Sequence, residues 1–488
     1  MGEGRKQGLW APQRRALTTG LVLTITLVAS EGLAVITVMP VVARDLGGLR
    51  LYGWVFSGFM LGSVIGIVAA GREADRRGPA VPFVAGLALF SAGLAVAGLA
   101  PAMGVLVAGR VLQGVGAGAV PSVAYASIGR CVPANLQARM MAVLSTAWVA
   151  PGLAGPALAA EVTHLFGWRW VFLGLLPVVA VTGSIALPAL VRLGPPSSSA
   201  AQEHRLIDAV RTAVGAMMVL GGLTLAAGSR SAAGWLAGAG LVAAGGLAGV
   251  PSLRRLVPAG TFTARPGLPA TILSRGLLTF AFFGADAYVT LSVTVIRHRS
   301  PLVASIAVTG GTLAWTAGAW LQARLNNRWP GRRLVRGGLL VILAGIAGMV
   351  AVLDPVVPVA VGLAAWTVAG FGMGMAYAPI SLMMLAHAPA GREGQTSASL
   401  NLADVLGEAI GIGIGGAPVA AFAGHDLRLG VTAAFVITAV VAVAALVVAG
   451  RLPAGVSHEA PPTDGGASPT DDVRPPAGQL PAGGLTVD

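Results

Sequence analysis

Charge is what this chain has least of. Only 10% of its 488 residues are Asp, Glu, Lys or Arg, and acid is the scarcer sign, 19 residues against 32 basic ones. A water-soluble chain of this length needs more charge than that to cover its surface. There is a single cysteine, Cys131, which excludes an internal disulfide and any metal site built from thiolates. The run G-x-x-x-x-G-K-[ST] does not occur, so ATP is not expected to power the chain directly. Of the histidines, His164, His298, His387 and His425 fall at the ends of apolar runs, while His204 and His458 lie in polar segments. None has a second ligand at metal spacing. No nucleophile stands beside a base in a recognisable pattern, so neither an enzyme nor a bound cofactor is expected.

Apolar residues, by contrast, make up 55% of the chain, its mean hydropathy is +0.79, and it contains 70 glycines. This is the composition of a polytopic membrane protein, in which small residues let helices approach closely. A bilayer-crossing helix takes ~20 mostly apolar residues. That length predicts spans near 17–42, 52–70, 80–100, 103–128, 139–160 and 169–191, then 208–228 and 232–250, then 269–296, 302–322, 334–353, 356–386, 394–422 and 429–450. The expected fold is therefore all-α, with fourteen transmembrane helices arranged as six, two and six. A short N-terminal segment (1–16) leads into an N-terminal bundle (17–191). A polar linker (192–207), two extra helices (208–250) and a loop (251–268) follow, then a C-terminal bundle (269–450). The tail, 451–488, is rich in Pro, Gly, Ala and Asp without apolar periodicity, and is expected to be disordered. The first apolar run exceeds the ~7–15 residues of a signal-peptide core, so it is read as a retained helix.

The placement of the basic residues tests this layout. With the N-terminus inside, 24 of the Lys and Arg residues fall on the inner side and 7 on the outer, with Arg110 left inside a helix. The positive-inside rule then puts both termini in the cytoplasm of a multi-pass cell-membrane protein. Dispersal through short loops also argues against nucleic acid as the reason for the net charge of +13. The expected partners are membrane lipids, a small-molecule substrate and protons. The chain is expected to be monomeric.

Two basic, glycine-containing segments follow corresponding spans of the two sixes: GREADRRGP at 71–79 and QARLNNRWPGRR at 322–333. Repeated halves around a mid-membrane site are typical of secondary transporters. Four pieces of sequence sharpen the likeness. They are Gly71, Asp75, Arg76 and Gly78 in the first of these segments; Gly109–Gly118, reading GRVLQGVGAG; Gly152, Gly155 and Pro156 in APGLAGPALAA; and EGLAVITVMP from Glu31 to Pro40. Over residues ~15–450, on the helix-length argument, the chain resembles the major facilitator superfamily and, within it, the 14-helix drug:proton antiporters. It departs from the usual pattern at Glu73, Pro79 and Glu31, where those relatives have Leu, a basic residue and Asp, and in helix 5 at Pro151 and Ala159-Ala160.

The resemblance implies a multidrug efflux protein that exports a hydrophobic or cationic compound by alternating access, driven by proton entry. It makes Gly71, Asp75, Arg76 and Gly78 a conformational latch. It gives Gly114, Gly118, Gly152, Gly155 and Pro156 to helix packing and gating, and makes Arg110 the tuner of a nearby carboxyl. An exporter of a lipid or cell-envelope component is the alternative, and a transporter-like sensor or scaffold a more distant one.

The residues point the same way without the resemblance. An ionisable group inside a bilayer is a functional candidate by default. Glu31, Arg110, Asp286, Asp404 and Glu408 are the candidates here. Glu31, Arg110, Asp404 and Glu408 are assigned to proton coupling, with a lasting Glu31–Arg110 ion pair as the bland alternative. Ser397, Asn401, Asp404, Glu408, Gly411 and Gly415 share one helix face. Glu31, Asp286, Phe283, Tyr125, Trp148 and Asn401 are assigned to the substrate cavity, because a carboxylate among aromatic faces suits a lipophilic cation.

Overall fold

In hydrocarbon the backbone amides of a long apolar run have no partner but one another, so such runs coil into helices. The computed structural model describes residues 9–11, 14–131, 140, 143, 144, 146–193, 203–229, 231–325, 328–387 and 393–453, and every regular element among them is a helix. The tail expected to be disordered lies outside the described residues, as do the side chains of Asp75, Tyr125 and Ser397. The N-terminal six comprise α1 (Arg15–Asp45), α2 (Tyr52–Arg77), α3 (Ala80–Gly98), α4 (Met103–Cys131), α5 (Val149–Phe166) and α6, in two pieces (Arg169–Leu173 and Leu175–Val191). The extra pair is α7 (Glu203–Gly228) and α8 (Ala232–Leu256). The C-terminal six begin with α9 (Leu268–Leu291), prolonged by a wider turn to Ile296. They continue through α10 (Pro301–Leu325), α11 (Gly331–Ala351), α12 (Val359–His387), α13 (Glu393–Phe422) and α14 (Leu427–Ala449).

Among the described residues, thirteen of these helices are long and apolar enough to cross a membrane, and the chain is a multi-pass membrane protein. The exception is α5, which has 18 residues and carries Glu161 and His164. Its span, expected from 139, is interrupted by a turn at Ala147–Trp148, and the regular helix starts only at Val149. Pro151 has no N–H to offer the carbonyl four residues back. That carbonyl, on Ala147, accepts a hydrogen bond from the Thr26 hydroxyl of α1 instead, at 3.2 Å.

The segment expected as a loop at 71–79 is mostly helix. The last turns of α2 carry Gly71 to Arg77, and only Gly78, at φ +84°, and Pro79 make the turn into α3. Glu73 pairs with Arg77 at 3.4 Å and with Arg76 at 3.8 Å along the helix. Two arginines in a last turn also suit the negative end of the helix dipole. So Glu73, which stands where Leu was the expected pattern, helps to hold this end helical.

The halves repeat in how their helices touch. In α4, Gly114 and Gly118 lie against the backbone of α2 at Phe59 and Ser63, while Gly116 lies against α3 at Gly86 and Phe90. In α12, Gly370 and Gly374 lie against α10 at Gly311 and Trp315, while Gly372 lies against α11 at Gly338. Residues four apart on a helix share a face and the one midway between them points elsewhere. One spacing of three glycines therefore seats each of these helices between two neighbours.

Hydrogen bonds join the bundles towards the end away from the start of α1 and the end of α14. Ser57 Oγ donates to the Ala409 carbonyl at 2.8 Å, and Thr290 Oγ1 to the Ile36 carbonyl at 2.8 Å. Within the C-terminal bundle Tyr288 donates to the Ile412 carbonyl at 2.6 Å, and its hydroxyl lies beside Gly53 of α2. At the opposite end Arg76 and Arg77 are exposed, and Gly71 has open space around it. The extra helix α7 packs on both α2 and α13, with Trp54 Nε1 donating to Thr224 Oγ1 at 3.0 Å and Leu220 against Gly413.

Candidate functional site

Each bundle buries a carboxyl on its first helix and holds it with a side chain from its fourth. In the N-terminal bundle Glu31, at mid-α1, is 0% exposed and Arg110 of α4 is 2% exposed. Arg110 Nη1 donates to Glu31 Oε1 and, at 2.8 Å, to Gln113 Oε1. Its Nε donates to the Val55 carbonyl of α2 at 3.1 Å, and the guanidinium lies over the Phe59 ring, 4.2 Å from the centroid. The cation therefore has partners on three sides, whereas Glu31 Oε2 has no hydrogen-bond partner among the described residues.

In the C-terminal bundle Asp286 of α9, also buried, accepts from Trp366 Nε1 of α12 at 2.8 Å. Arg110 lies four residues before Gly114, and Trp366 lies four residues before Gly370. The two donors thus occupy corresponding places in the repeat. One is a cation and the other a neutral indole. Phe282, one turn before Asp286, stacks on Trp366 with centroids 5.1 Å apart. Phe283, Trp315 and Tyr377 continue the aromatic wall: Phe282–Trp315 centroids are 5.7 Å apart, Phe283–Trp315 6.0 Å and Trp315–Tyr377 5.4 Å. Tyr288, close to Asp286 in sequence, turns away to bond α13, as residues two apart on a helix must.

A second carboxyl group of this bundle is reached through Tyr377. Its hydroxyl donates to Asp404 Oδ2 at 2.7 Å. On the other oxygen, Asp404 Oδ1 faces Arg275 Nε at 3.5 Å. By its place in the sequence Arg275 falls among the inner-side loop cations. The structure places it inside α9, 3% exposed, because α9 begins at Leu268 and a buried arginine there has an acid to meet. It is further held by the Tyr377 carbonyl at 3.0 Å, Ser381 Oγ at 2.5 Å and the face of the Tyr377 ring at 3.4 Å. Glu408 is half-buried one turn beyond Asp404, within electrostatic reach of both Asp404 and Asp286. It makes no hydrogen bond or ion pair to the described residues.

Of the side chains expected together, Glu31 and Arg110 meet, and Asp286 and Phe283 lie at one aromatic wall. Asp404 and Glu408 stand one turn apart on α13. Asn401 and Trp148 are exposed, Trp148 ahead of the first turn of α5. Of the packing glycines, Gly114 and Gly118 touch backbone, Gly152 meets Thr312 of α10, and Gly155 has no neighbour closer than Leu33 Cβ at 4.0 Å. Arg275, Trp366 and Tyr377 are not singled out by the sequence alone. Trp366 and Tyr377 carry only the signal of an aromatic one helical turn from a glycine, and Arg275 carries none beyond its charge. A concavity between α11 and α14 is lined only by apolar side chains such as Leu343, Ile346, Val436 and Val440. It offers a membrane-buried seam but no polar group to orient a ligand.

Comparison with known proteins gives this geometry a setting. The Major Facilitator Superfamily profile matches residues 20–412. A protein named a probable multidrug-efflux transporter, from Mycobacterium tuberculosis, is 27% identical over 426 residues, covering 83% of this chain and 88% of its own. The transporter YebQ of Escherichia coli, uncharacterized, is 26% identical over 464 residues, covering 91% and 97%. Among solved structures, a bacterial homolog of the human lysosomal transporter Spinster, inward-facing and unoccupied, aligns with a TM-score of 0.63 at 16% identity over 90% of this chain and 98% of that one. A POT family transporter in complex with 5-aminolevulinic acid aligns with a TM-score of 0.65 at 13% identity over 91% and 98%.

Proposed function

Because the chain belongs to the Major Facilitator Superfamily, we propose that it is a proton-driven exporter of lipophilic cationic compounds, working by alternating access in the cell membrane. The observation that carries this reading is the contrast between the two paired carboxyls. Glu31 is neutralised from within by Arg110, while Asp286 meets only an indole N–H and faces an aromatic wall. Aromatic faces and a carboxylate without a fixed counter-ion attract an organic cation, whereas an uncharged lipid would gain nothing from the charge. The names of the M. tuberculosis relatives, probable multidrug-efflux transporters, agree with this reading.

The end where the bundles are bonded together is then the outer side, and the open end is the cytoplasmic entrance. Proton entry is carried on this reading by Glu31 and, on α13, by Glu408, the carboxyl beside the Arg275–Asp404 pair. A proton reaching Glu31 would release Arg110 to its remaining partners, Val55, Gln113 and Phe59, and so loosen α1 from α4. The segment Gly71–Gly78 acts as the latch at the cytoplasmic end of α2. Both termini lie in the cytoplasm, and the extra helices α7 and α8 cover the seam between α2 and α13.

The test uses everted membrane vesicles from cells expressing the protein. With an imposed proton gradient, inward movement of ethidium is expected for the wild type. It should be lost on collapse of the gradient and in Asp286→Asn. Glu31→Gln should uncouple it, leaving movement indifferent to the gradient. Ethidium movement that ignores both the gradient and these two substitutions would refute the reading.

A further inference from the structure

In the C-terminal bundle Asp286 and Asp404 stand at the two ends of one aromatic wall, Trp366–Phe282–Trp315–Tyr377, with Glu408 one turn beyond Asp404 on α13, and among the described residues Arg275 is the one cation paired with any of the three. Arg275 is committed to Asp404. It comes from α9, donates to the carbonyl of Tyr377 and the hydroxyl of Ser381 on α12, lies over the Tyr377 ring, and has its Nε 3.5 Å from Asp404 Oδ1 on α13, an ion pair without a hydrogen bond. A guanidinium so fixed is spent: its fork cannot turn to a second acid without giving up those partners. Asp286 and Glu408 have no cation of their own among the described residues. Of the other charged pairs, Arg428 with Asp354 at 3.5 Å is exposed at the end of the bundle, and Asp208 with Arg255 at 3.3 Å joins α7 to α8.

We propose that Arg275 sets the charge that the transporter accepts: by silencing Asp404 it leaves two open carboxyls, one for the substrate and one for a proton, and so excludes dications. The proposal rests on the reading of Asp286 as the seat of a cationic substrate. A third open carboxylate would hold a second positive charge on the same substrate. Arg275 withholds it, and its own charge repels whatever second cation approaches. The residue touches neither substrate nor proton; it acts through Asp404.

Ethidium and propidium share one ring system and carry one and two permanent positive charges. Their proton-driven movement is compared in everted vesicles. The wild type is expected to favour ethidium. Arg275→Gln should raise the propidium-to-ethidium ratio roughly tenfold or more, the size of one added opposite charge in a partly desolvated site. Adding Asp404→Asn to it should return the ratio to the wild-type value. Asp404→Asn alone should lose ethidium movement, because the charge of Arg275, held in place and no longer matched, then repels the cation, and the double variant should recover that movement several-fold. A purely structural role for Arg275 predicts instead a double variant at least as damaged as the worse single one. If Arg275→Gln fails to accumulate, the comparison of Asp404→Asn with the double variant still decides. An unmoved ratio in Arg275→Gln, or a double variant no better than Asp404→Asn, overturns the role given to Arg275 while ethidium export stands. A wild type that moves neither dye overturns the proposed function and this inference together.

Discussion

Removal of the Glu31–Arg110 pair one side at a time should cost more than removal of both. Glu31 is fully buried, and Arg110 is its partner on α4, with its second oxygen already unmatched. Arg110→Leu therefore leaves a buried carboxyl with nothing, which costs about 3–5 kcal/mol for a broken interior ion pair. Glu31→Leu strands a guanidinium that still has the Val55 carbonyl at 3.1 Å, Gln113 at 2.8 Å and the Phe59 ring at 4.2 Å. Its cost should therefore be smaller by about 1–2 kcal/mol, the worth of hydrogen bonds to a charged group. With both sides made leucine no charge remains to be desolvated, and such replacements are often neutral or better. The double variant should lie within about 2 kcal/mol of the wild type. The coupling read from the cycle would then amount to several kcal/mol, about 3 at the least. Denaturant unfolding of the detergent-purified protein, followed by tryptophan fluorescence, measures all four corners. Additive costs, or a Glu31 variant worse than the Arg110 variant, would refute the idea that α4 contributes a charge α1 cannot do without.

Three further outcomes can be read on the same assay. Gly114→Ala should destabilise by about 1–3 kcal/mol, because the new methyl meets the Phe59 backbone carbon at 2.7 Å and neither helix can yield without shifting. Gly155→Ala should be neutral or gain up to about 1 kcal/mol, since its nearest neighbour is 4.0 Å away. Equal losses at both positions would mean that motif membership rather than contact decides. Trp366→Phe removes the N–H given to Asp286 at 2.8 Å while keeping the stack on Phe282. It should cost about 1–3 kcal/mol, and an unchanged unfolding midpoint would sink the bond. Thr26→Val leaves the Ala147 carbonyl without the partner that replaced its helical one. About 1 kcal/mol should go with it, and pairing it with Pro151→Ala, which restores a donor, should return most of that loss.

The helices were legible because bilayer-length apolar runs admit few other structures. Charge and polarity within them were legible only in part. Glu31 and Arg110 can be paired from the sequence alone, since each is a lone ion in its apolar span and a buried ion needs its opposite. Arg275 cannot be paired in that way. It stands seven residues into α9, inside the expected span but close enough to the basic loop to be counted with it, and only its partners on α12 and α13 show that it is buried. Trp366 looks like one more apolar residue in an apolar run, and its single polar atom has meaning only once Asp286 is opposite. The segment at 71–79 misleads for the contrary reason. Its charges suggest a loop, but Glu73, Arg76 and Arg77 at three- and four-residue spacings are equally a helix end. The glycine triplets of α4 and α12 are present as letters, Gly114-Gly116-Gly118 and Gly370-Gly372-Gly374, yet the spacing becomes a repeat only through the neighbours each glycine touches.

That repeat bears on why the two bundles need not do the same work. At corresponding places they hold a carboxyl with an arginine in one case and a tryptophan in the other. Two opposite unit charges ~4 Å apart attract by about 4 kcal/mol at an effective dielectric near 20. A cationic ligand approaching Glu31 would have to displace an intramolecular competitor of that strength, already desolvated and stacked on Phe59. A proton suffers no such exclusion, because it adds to the unmatched Oε2 without occupying the place of the guanidinium. At Asp286 the competitor is a neutral N–H, and the neighbouring rings favour a flat cation over hydrated sodium or potassium. On the proposed reading, one substitution between equivalent positions in a duplicated framework is then sufficient to bar the organic cation from the first half while the second admits it. Trp366→Arg tests that step directly. It should install beside Asp286 the counter-ion that Glu31 already has, and abolish ethidium movement in everted vesicles while the protein still accumulates in the membrane. A Trp366→Arg protein that accumulates and continues to move ethidium would show that the charge at Asp286 is not what the substrate meets.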